Sequence, residues 1–215
     1  RSRTADAVMR ALVIYSHPRT GSYTEAVKDL VVDKLNTAGA EVRVHDLYAS
    51  GFSPVLTAQE HEGYAACPDN CAPVQSDVED DRWCDTLIFV YPTWWYGLPA
   101  ILKGWLDRVL LPDVAFLMPD AAHPNIRPGL GHITRLGVFT TCGASRWLTW
   151  VIGAPGRKTL LRGVGFLCKR PLKTAFAAHY LMDKSTPATR AAHLKTVGLK
   201  MDSFIGTPER QEAPA

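Results

Sequence analysis

Apolar positions along the chain follow two alternating periods. Residues 11–16 (ALVIYS) and 86–91 (TLIFVY) are unbroken apolar runs between polar loops, the pattern of strands buried on both faces of a parallel sheet. Residues 41–47 (EVRVHDL) alternate instead, which suits an edge strand, and residues 133–141 and 172–178 supply two more strands. Between them the period becomes helical. Ala26, Val27, Leu30, Val31, Leu35 and Ala38 share one face before Gly39 stops it, and Ile101, Leu102, Trp105, Leu106 and Val109 form a second stripe, with Pro99 at the first helical position. Residues 155–168 predict a further helix, and Thr186 with Pro187 opens a last one running to about Phe204. Residues 48–82 are polar, contain Gly and Pro and hold no sustained period, which reads as a surface excursion with a short helix near 76–82.

Strand and helix thus alternate, and right-handed crossovers turn that alternation into an α/β domain. The expectation is a doubly wound sheet of five parallel strands in the order 2-1-3-4-5, with helices on both faces. Its 215 residues, 47% hydrophobic and 21% charged, suit one domain over residues 9–206. Residues 1–8 read as an N-terminal extension before a natural start at Met9, and residues 207–215 as a disordered tail. A net charge of +3 with dispersed Lys and Arg, and no basic run interleaved with aromatics, gives no sign of a nucleic-acid partner. No apolar run is long enough to insert in a membrane, and no secretion signal is evident at the N-terminus, so a cytoplasmic location is expected. Five cysteines make no disulfide framework. Cys67 and Cys71, near His61, have a spacing that permits a metal, but no second pair follows and residues 68–70 read as loop, so no metal centre is expected.

The residues that carry chemistry gather in the loops after the first, third and fourth strands. In this strand order those ends are neighbours, at the crevice where open sheets bind ligands. The first loop runs from His17 to Thr24 into a helix N-terminus. Free backbone N–H groups, the helix dipole and the hydroxyls of Thr20, Ser22 and Thr24 suit an anion such as phosphate, with His17 as a further donor. A plain helix cap at Ser22 is the alternative. The second loop is Pro92, Thr93, Trp94, Trp95, Tyr96 and Gly97, with Pro92 expected to end its strand because it has no N–H for the ladder. A single tryptophan would be an ordinary core residue, but three adjacent aromatics in a tight loop force some toward a groove, a partner or water. In the third loop, Thr140, Thr141, Cys142 and Gly143, the glycine lets backbone approach a flat ligand. Together these imply a phosphorylated planar heterocycle, and flavin fits better than nicotinamide. No GxGxxG follows a strand, no GxxxxGK precedes Ser or Thr, and no cysteine is followed six residues later by the arginine a phosphatase loop needs.

Residues 92–109 read Pro-x-x-Trp-Tyr-Gly-x-Pro-Ala-x-Leu-Lys-Gly-Trp-x-Asp-Arg-Val. With His17, the Ser22-Tyr23 pair, Asp46-Leu47-Tyr48 and Thr140-Thr141, this stretch makes the chain resemble the flavodoxin-like NAD(P)H:quinone oxidoreductase family from about Met9 to Phe204. That family includes DT-diaphorase, bacterial quinone reductases and potassium-efflux ancillary flavoproteins. The resemblance implies a flavodoxin-like fold and a homodimer with flavin at the subunit interface. It implies FAD, or alternatively FMN, as cofactor, NAD(P)H as co-substrate, and two-electron ping-pong hydride transfer to a quinone-like acceptor. It would place the phosphates and ribityl chain on His17, Ser22, Tyr23 and Thr24, the isoalloxazine against residues 92–96, and its polar edge at residues 140–143. Azo-, nitro- or flavin reduction, and a redox-sensing ancillary subunit of a membrane protein, stand as alternatives. The chain departs from the pattern after the fourth strand. DT-diaphorase relatives carry a double glycine followed by a tyrosine and a histidine that assist hydride transfer, whereas this segment reads Cys142-Gly143-Ala144-Ser145-Arg146-Trp147. Trp147, Arg146 and Arg157 are candidates to replace the missing pair at the substrate pocket, with Arg157 equally readable as a plain surface residue. The chain also ends soon after its last helix, without the long C-terminal segment of the larger members.

Overall fold

The computed structural model describes residues 8–206; the expected tail, and all of the expected extension but Val8, lie outside the described residues. In chain order the elements are β1 Arg10–Tyr15, α1 Tyr23–Thr37, β2 Glu41–Asp46, α2 Ala58–Glu62, a 3-10 turn Asp69–Val74, α3 Gln75–Trp83, β3 Thr86–Thr93 and α4 Ala100–Val109. A small hairpin of β4 Phe116–Leu117 and β5 Arg127–Pro128 follows. The chain continues through β6 Arg135–Cys142, α5 Arg146–Ile152, α6 Pro155–Lys158, a π-helical turn Thr159–Val164, α7 Gly165–Leu167, β7 Lys173–His179 and α8 Pro187–Ile205. The main sheet has the order β2-β1-β3-β6-β7, all parallel, so the expected five-stranded topology is the observed one, with β6 and β7 as its fourth and fifth strands.

Alternate residues of a strand face opposite sides, and both sides here are apolar. Leu12, Ile14, Leu87, Phe89 and Tyr91 meet Val78 of α3, Leu102 and Trp105 of α4 and Leu160 of the π turn on one side. Val13, Tyr15, Ile88, Val90 and Phe139 meet Val27, Val31 and Leu35 of α1 and Val197, Met201 and Phe204 of α8 on the other. The edge strand β2 has no fully buried residue. It is clamped by polar bonds: His45 Nδ1 lies 2.9 Å from Asp77 Oδ1 and Nε2 2.6 Å from Asp80 Oδ2, while Trp105 Nε1 donates to Asp77 at 2.8 Å. Burial works against a charged His45 ring, yet the two carboxylates outweigh it and raise its pKa.

Four local expectations needed correction. Strand β3 does not stop at Pro92: Pro92 pairs with Thr141 and Thr93 with Cys142. On its other side β1 has already ended at Tyr15, after a last bond from the Ser16 N–H to the Val90 carbonyl, so no ladder partner is lost to the missing N–H. Pro99 is the N-cap of α4 rather than its first residue. Residues 155–168 are three short helical pieces, because glycines at 156, 163 and 165 weaken a regular helix. Helix α5 was not expected at all; its residues are mostly apolar but none is buried, so no polar-apolar alternation marks it, although Ser145 caps its start and Gly153 ends it with φ of 96°.

Candidate functional site

Loops after β1, β3 and β6 meet beyond the carboxyl ends of the strands and wall a cleft of about 1140 Å³, ample for a nucleotide-sized ligand. It brings together His17, Ser22, Tyr23, Thr24, Pro92, Thr93, Trp94, Trp95, Tyr96, Thr141, Cys142 and Gly143, along with Arg19, Met182, Asp183 and Arg190. Two expected residues do not line it: Thr20 is exposed on its loop, and Thr140 is buried behind the wall, its Oγ1 2.8 Å from that of Thr93.

The first loop is held in place by bonds that use up part of its polar capacity. Ser22 caps α1 by accepting from the Glu25 N–H at 3.1 Å, so the plain-cap reading holds for its Oγ. Burial pushes the Tyr15 pKa up to about 12, which keeps that hydroxyl protonated 3.3 Å from Ser22 Oγ. Thr24 Oγ1 is 3.2 Å from Thr141 Oγ1, tying the first loop to the third. The Gly21 N–H donates to Glu25 at 2.5 Å; a carboxylate thus holds one donor that an incoming anion would want. His17 Nδ1 lies 3.1 Å from both the N–H and the carbonyl of Arg19, which ties the ring back to its own loop at the cleft wall.

The aromatic shelf is a tight turn. Gly97 N–H donates to the Trp94 carbonyl at 2.9 Å across an isolated antiparallel bridge, and Trp95 and Tyr96 between them have φ of 47° and 61°. Two central residues at positive φ make this a type I′ turn, a geometry suited to Asn and Gly. The sequence puts bulky aromatics there, and strain of this kind collects where a site requires it. Trp94 is 42% exposed and Trp95 95% exposed, so the paired indoles line the cleft rather than the core.

At the third loop a Cβ on Gly143 would sit 2.8 Å from Asp183 Oδ2, the end of an exposed side chain, so the glycine keeps this wall thin with that carboxylate where it stands. The anion end is completed from a distant element. Tyr23 donates to the Arg190 carbonyl at 2.9 Å and lies 2.8 Å from His193 Nδ1, fixing the first turn of α1 to α8. With the tyrosine proton used on the carbonyl, neutral His193 donates from Nδ1, and its buried Nε2 has no partner among the described residues. Burial, with the neighbouring His179 ring, pushes the His193 pKa down to about 4, consistent with that neutral form. Arg190 Nη1 donates to Ser185 Oγ at 2.9 Å, which steadies a guanidinium at the cleft wall. Arg19 and Arg190 were absent from the sequence-derived set. The only prior sign of Arg190 was its place in the first turn after the Thr186-Pro187 cap.

Of the substrate-pocket candidates, neither Trp147 nor Arg157 lines this cleft; Trp147 is 69% exposed on α5, and Arg157 belongs to a second, smaller cleft. Cys67 donates to the Pro112 carbonyl at 3.3 Å and Cys71 is buried, and all five cysteines are free thiols. Among the described residues no helix is long and apolar enough to cross a membrane.

An open parallel sheet with helices on both faces, and a cleft at its carboxyl edge, defines a doubly wound α/β protein. Residues 9–197 match the family described as having a flavodoxin-like fold, and the chain belongs to that family. It is similar to the ribosyldihydronicotinamide dehydrogenase [quinone] of Homo sapiens, with 33% identity over 166 residues, 66% of this chain and 72% of that protein. It is similar also to the NAD(P)H dehydrogenase [quinone] 1 of Cavia porcellus, with 35% identity over 126 residues, 51% of this chain and 46% of that protein. Among solved structures, a putative quinone reductase from Klebsiella pneumoniae superposes with a TM-score of 0.74 at 25% identity, covering 91% of this chain and 84% of that one. The match spans about half the length of several such relatives, 54% of the Pongo abelii ribosyldihydronicotinamide dehydrogenase for one.

Proposed function

We propose that the protein is a flavin-dependent NAD(P)H dehydrogenase that passes two electrons to a quinone-like acceptor. The observation that carries this is the strained turn at Trp95 and Tyr96, which spends conformational energy to hold an exposed aromatic shelf beside an anion-suited helix start. The lining fits a flavin: Trp94, Trp95 and Tyr96 offer flat walls, Gly143 leaves a thin one, and His17, Arg19 and Arg190 gather positive charge and donors where phosphates would lie. A charge-bearing end of that size suits the diphosphate of FAD, with FMN as the alternative. Bound flavin supplies the hydride chemistry. The chain's own groups orient it, exclude water and donate hydrogen bonds; no tyrosine and histidine pair of the DT-diaphorase kind follows Gly143 to assist. Support for a homodimer with the site at the interface comes from Trp95, an aromatic side chain left 95% exposed at the cleft that a second copy would cover. Five free thiols suit a reducing compartment, here the cytoplasm.

The donor is NAD(P)H in this reading, and the named activity of the human relative makes a nicotinamide riboside the comparator. Purified protein loaded with flavin is expected to oxidise NAD(P)H with a rate stimulated by menadione or benzoquinone; a flavin-loaded preparation that shows no such turnover rejects the enzyme reading. An azo dye in the same assay tests the alternative acceptor.

A further inference from the structure

Positive charge is unevenly placed along this chain. From Gly143 to Met182 there are seven basic residues, Arg146, Arg157, Lys158, Arg162, Lys169, Arg170 and Lys173, and no carboxylate, while the rest of the sequence has four more acidic than basic residues. Folding gathers three of the seven. Arg157, Lys158 and Arg162 line a second cleft of about 340 Å³ together with Trp150 and Leu161. Among the described residues none of the three cations is in an ion pair, so their charge is not spent within the fold. Arg157 is steadied instead by the Phe176 ring, its guanidinium carbon 4.7 Å from the centroid. Lys158 Nζ sits 3.3 Å from where a Cβ on Gly153 would be, so that left-handed glycine both ends α5 and leaves the ammonium its place.

Three cations beside an indole have a definite preference. A phosphomonoester carries close to two negative charges at neutral pH and rewards several charge-assisted donors at once, and guanidinium forks match its oxygens. Trp150 is 76% exposed and offers a flat face on which a purine can stack. The combination fits a nucleoside that bears a phosphate directly on its sugar.

The location ties this cleft to the first. Leu148 lines the large cleft and Trp150 the small one, two residues apart on α5 and so on opposite sides of a helix only about 10–12 Å across. On the other flank, a Cβ on Gly156 would lie 3.3 Å from the Gly97 carbonyl carbon, so α6 abuts the aromatic turn itself. Helix α5 and the aromatic turn thus form the divide between the two clefts.

We propose that the second cleft binds the adenosine 2′-phosphate of NADPH while the reduced nicotinamide enters the first, making NADPH the preferred donor over NADH and over the unphosphorylated riboside. This rests on the oxidoreductase reading. The test uses flavin-loaded protein and the triple variant Arg157→Gln, Lys158→Gln, Arg162→Gln, which keeps the side-chain stems and alters only exposed positions; an unshifted thermal midpoint checks its fold, and Lys158→Gln alone serves if the midpoint falls. Calorimetry with adenosine 2′,5′-bisphosphate and with ADP is expected to show about tenfold tighter binding of the bisphosphate, lost in the variant. In steady state the ratio of KM for NADH to KM for NADPH is expected to fall from about ten to about one. Equal binding of bisphosphate and ADP, or a KM ratio the variant leaves unchanged, overturns the assignment. Should neither donor be oxidised, the oxidoreductase reading falls while the calorimetry still decides what the cleft binds.

Discussion

Trp95 and Tyr96 occupy a backbone region that costs L residues roughly 1–2 kcal/mol each outside special contexts. If ligand binding is what maintains them there, relieving the strain should separate stability from function. The double variant Trp95→Asn, Tyr96→Gly gives the turn its preferred residues and is expected to stabilise the flavin-free protein by about 1–2 kcal/mol in urea titrations while weakening flavin binding at least tenfold. A variant that is no more stable, or that binds flavin as before, removes the case for functional strain. Away from the cleft, Asp81 is fully buried with neither carboxylate oxygen partnered among the described residues. Burial raises its pKa to about 7, against a small opposing effect of Arg82. The sign follows: a carboxyl that binds its proton more tightly folded than unfolded favours the fold at low pH, and that contribution is lost as pH rises from about 4 toward 7. Asp81→Asn is therefore expected to flatten the decline in stability over that range and to raise stability at pH 8 by about 1–3 kcal/mol, read from urea midpoints.

Glycines in the helices test the packing of elements. A Cβ at Gly104 of α4 would meet the Pro54 carbonyl oxygen at 2.2 Å, backbone that cannot step aside. Residues 48–57 therefore lie close over α4, and Arg108 of α4 fastens them by donating to the Ser53 carbonyl at 2.6 Å and pairing with Glu60. Gly104→Ala is expected to cost more than about 2 kcal/mol, whereas Gly198→Ala on α8, where the new Cβ meets only the Lys34 stem at 3.6 Å, is expected to add about 0.5–1 kcal/mol of helix propensity. Thermal midpoints of the two variants moving the same way would contradict this account of α4. The same elements show what a sequence reveals. β1 and β3 were legible because burial on both faces leaves an unbroken apolar run, and α1 and α4 because each buries a stripe. Helix α5 and the β4-β5 hairpin were not, since an element that buries no face writes no period. The close fit of residues 48–57 over α4 was also hidden: Gly104 in a helical run signals a near approach but not of what.

For the whole molecule, topology did most of the work of finding the site. Once the order 2-1-3-4-5 was inferred, the three loops had to meet, and the cleft does gather nearly every residue named from them. Thr140 dropped out because side chains alternate along a strand: Thr141 faces the cleft, while the Thr140 hydroxyl is turned into the wall beside that of Thr93. Arg19 and Arg190 were missed for another reason: a charged residue in a loop or an exposed first helical turn looks the same whether it faces solvent or a cleft. The cationic cleft was overlooked because seven basic residues spread over forty positions read as dispersed until α6 and the π turn set three of them, Arg157, Lys158 and Arg162, beside α5. The central claim is that the indoles after Thr93 form the wall of a flavin site. It is tested most directly by titrating FAD and FMN into the purified protein and into Trp94→Ala, Trp95→Ala, following flavin and tryptophan fluorescence. The account expects saturable one-to-one binding at about 1 μM or tighter for wild type, with strong quenching, and at least tenfold weaker binding for the variant. No saturable binding of either flavin, or affinity indifferent to the loss of both indoles, would contradict it.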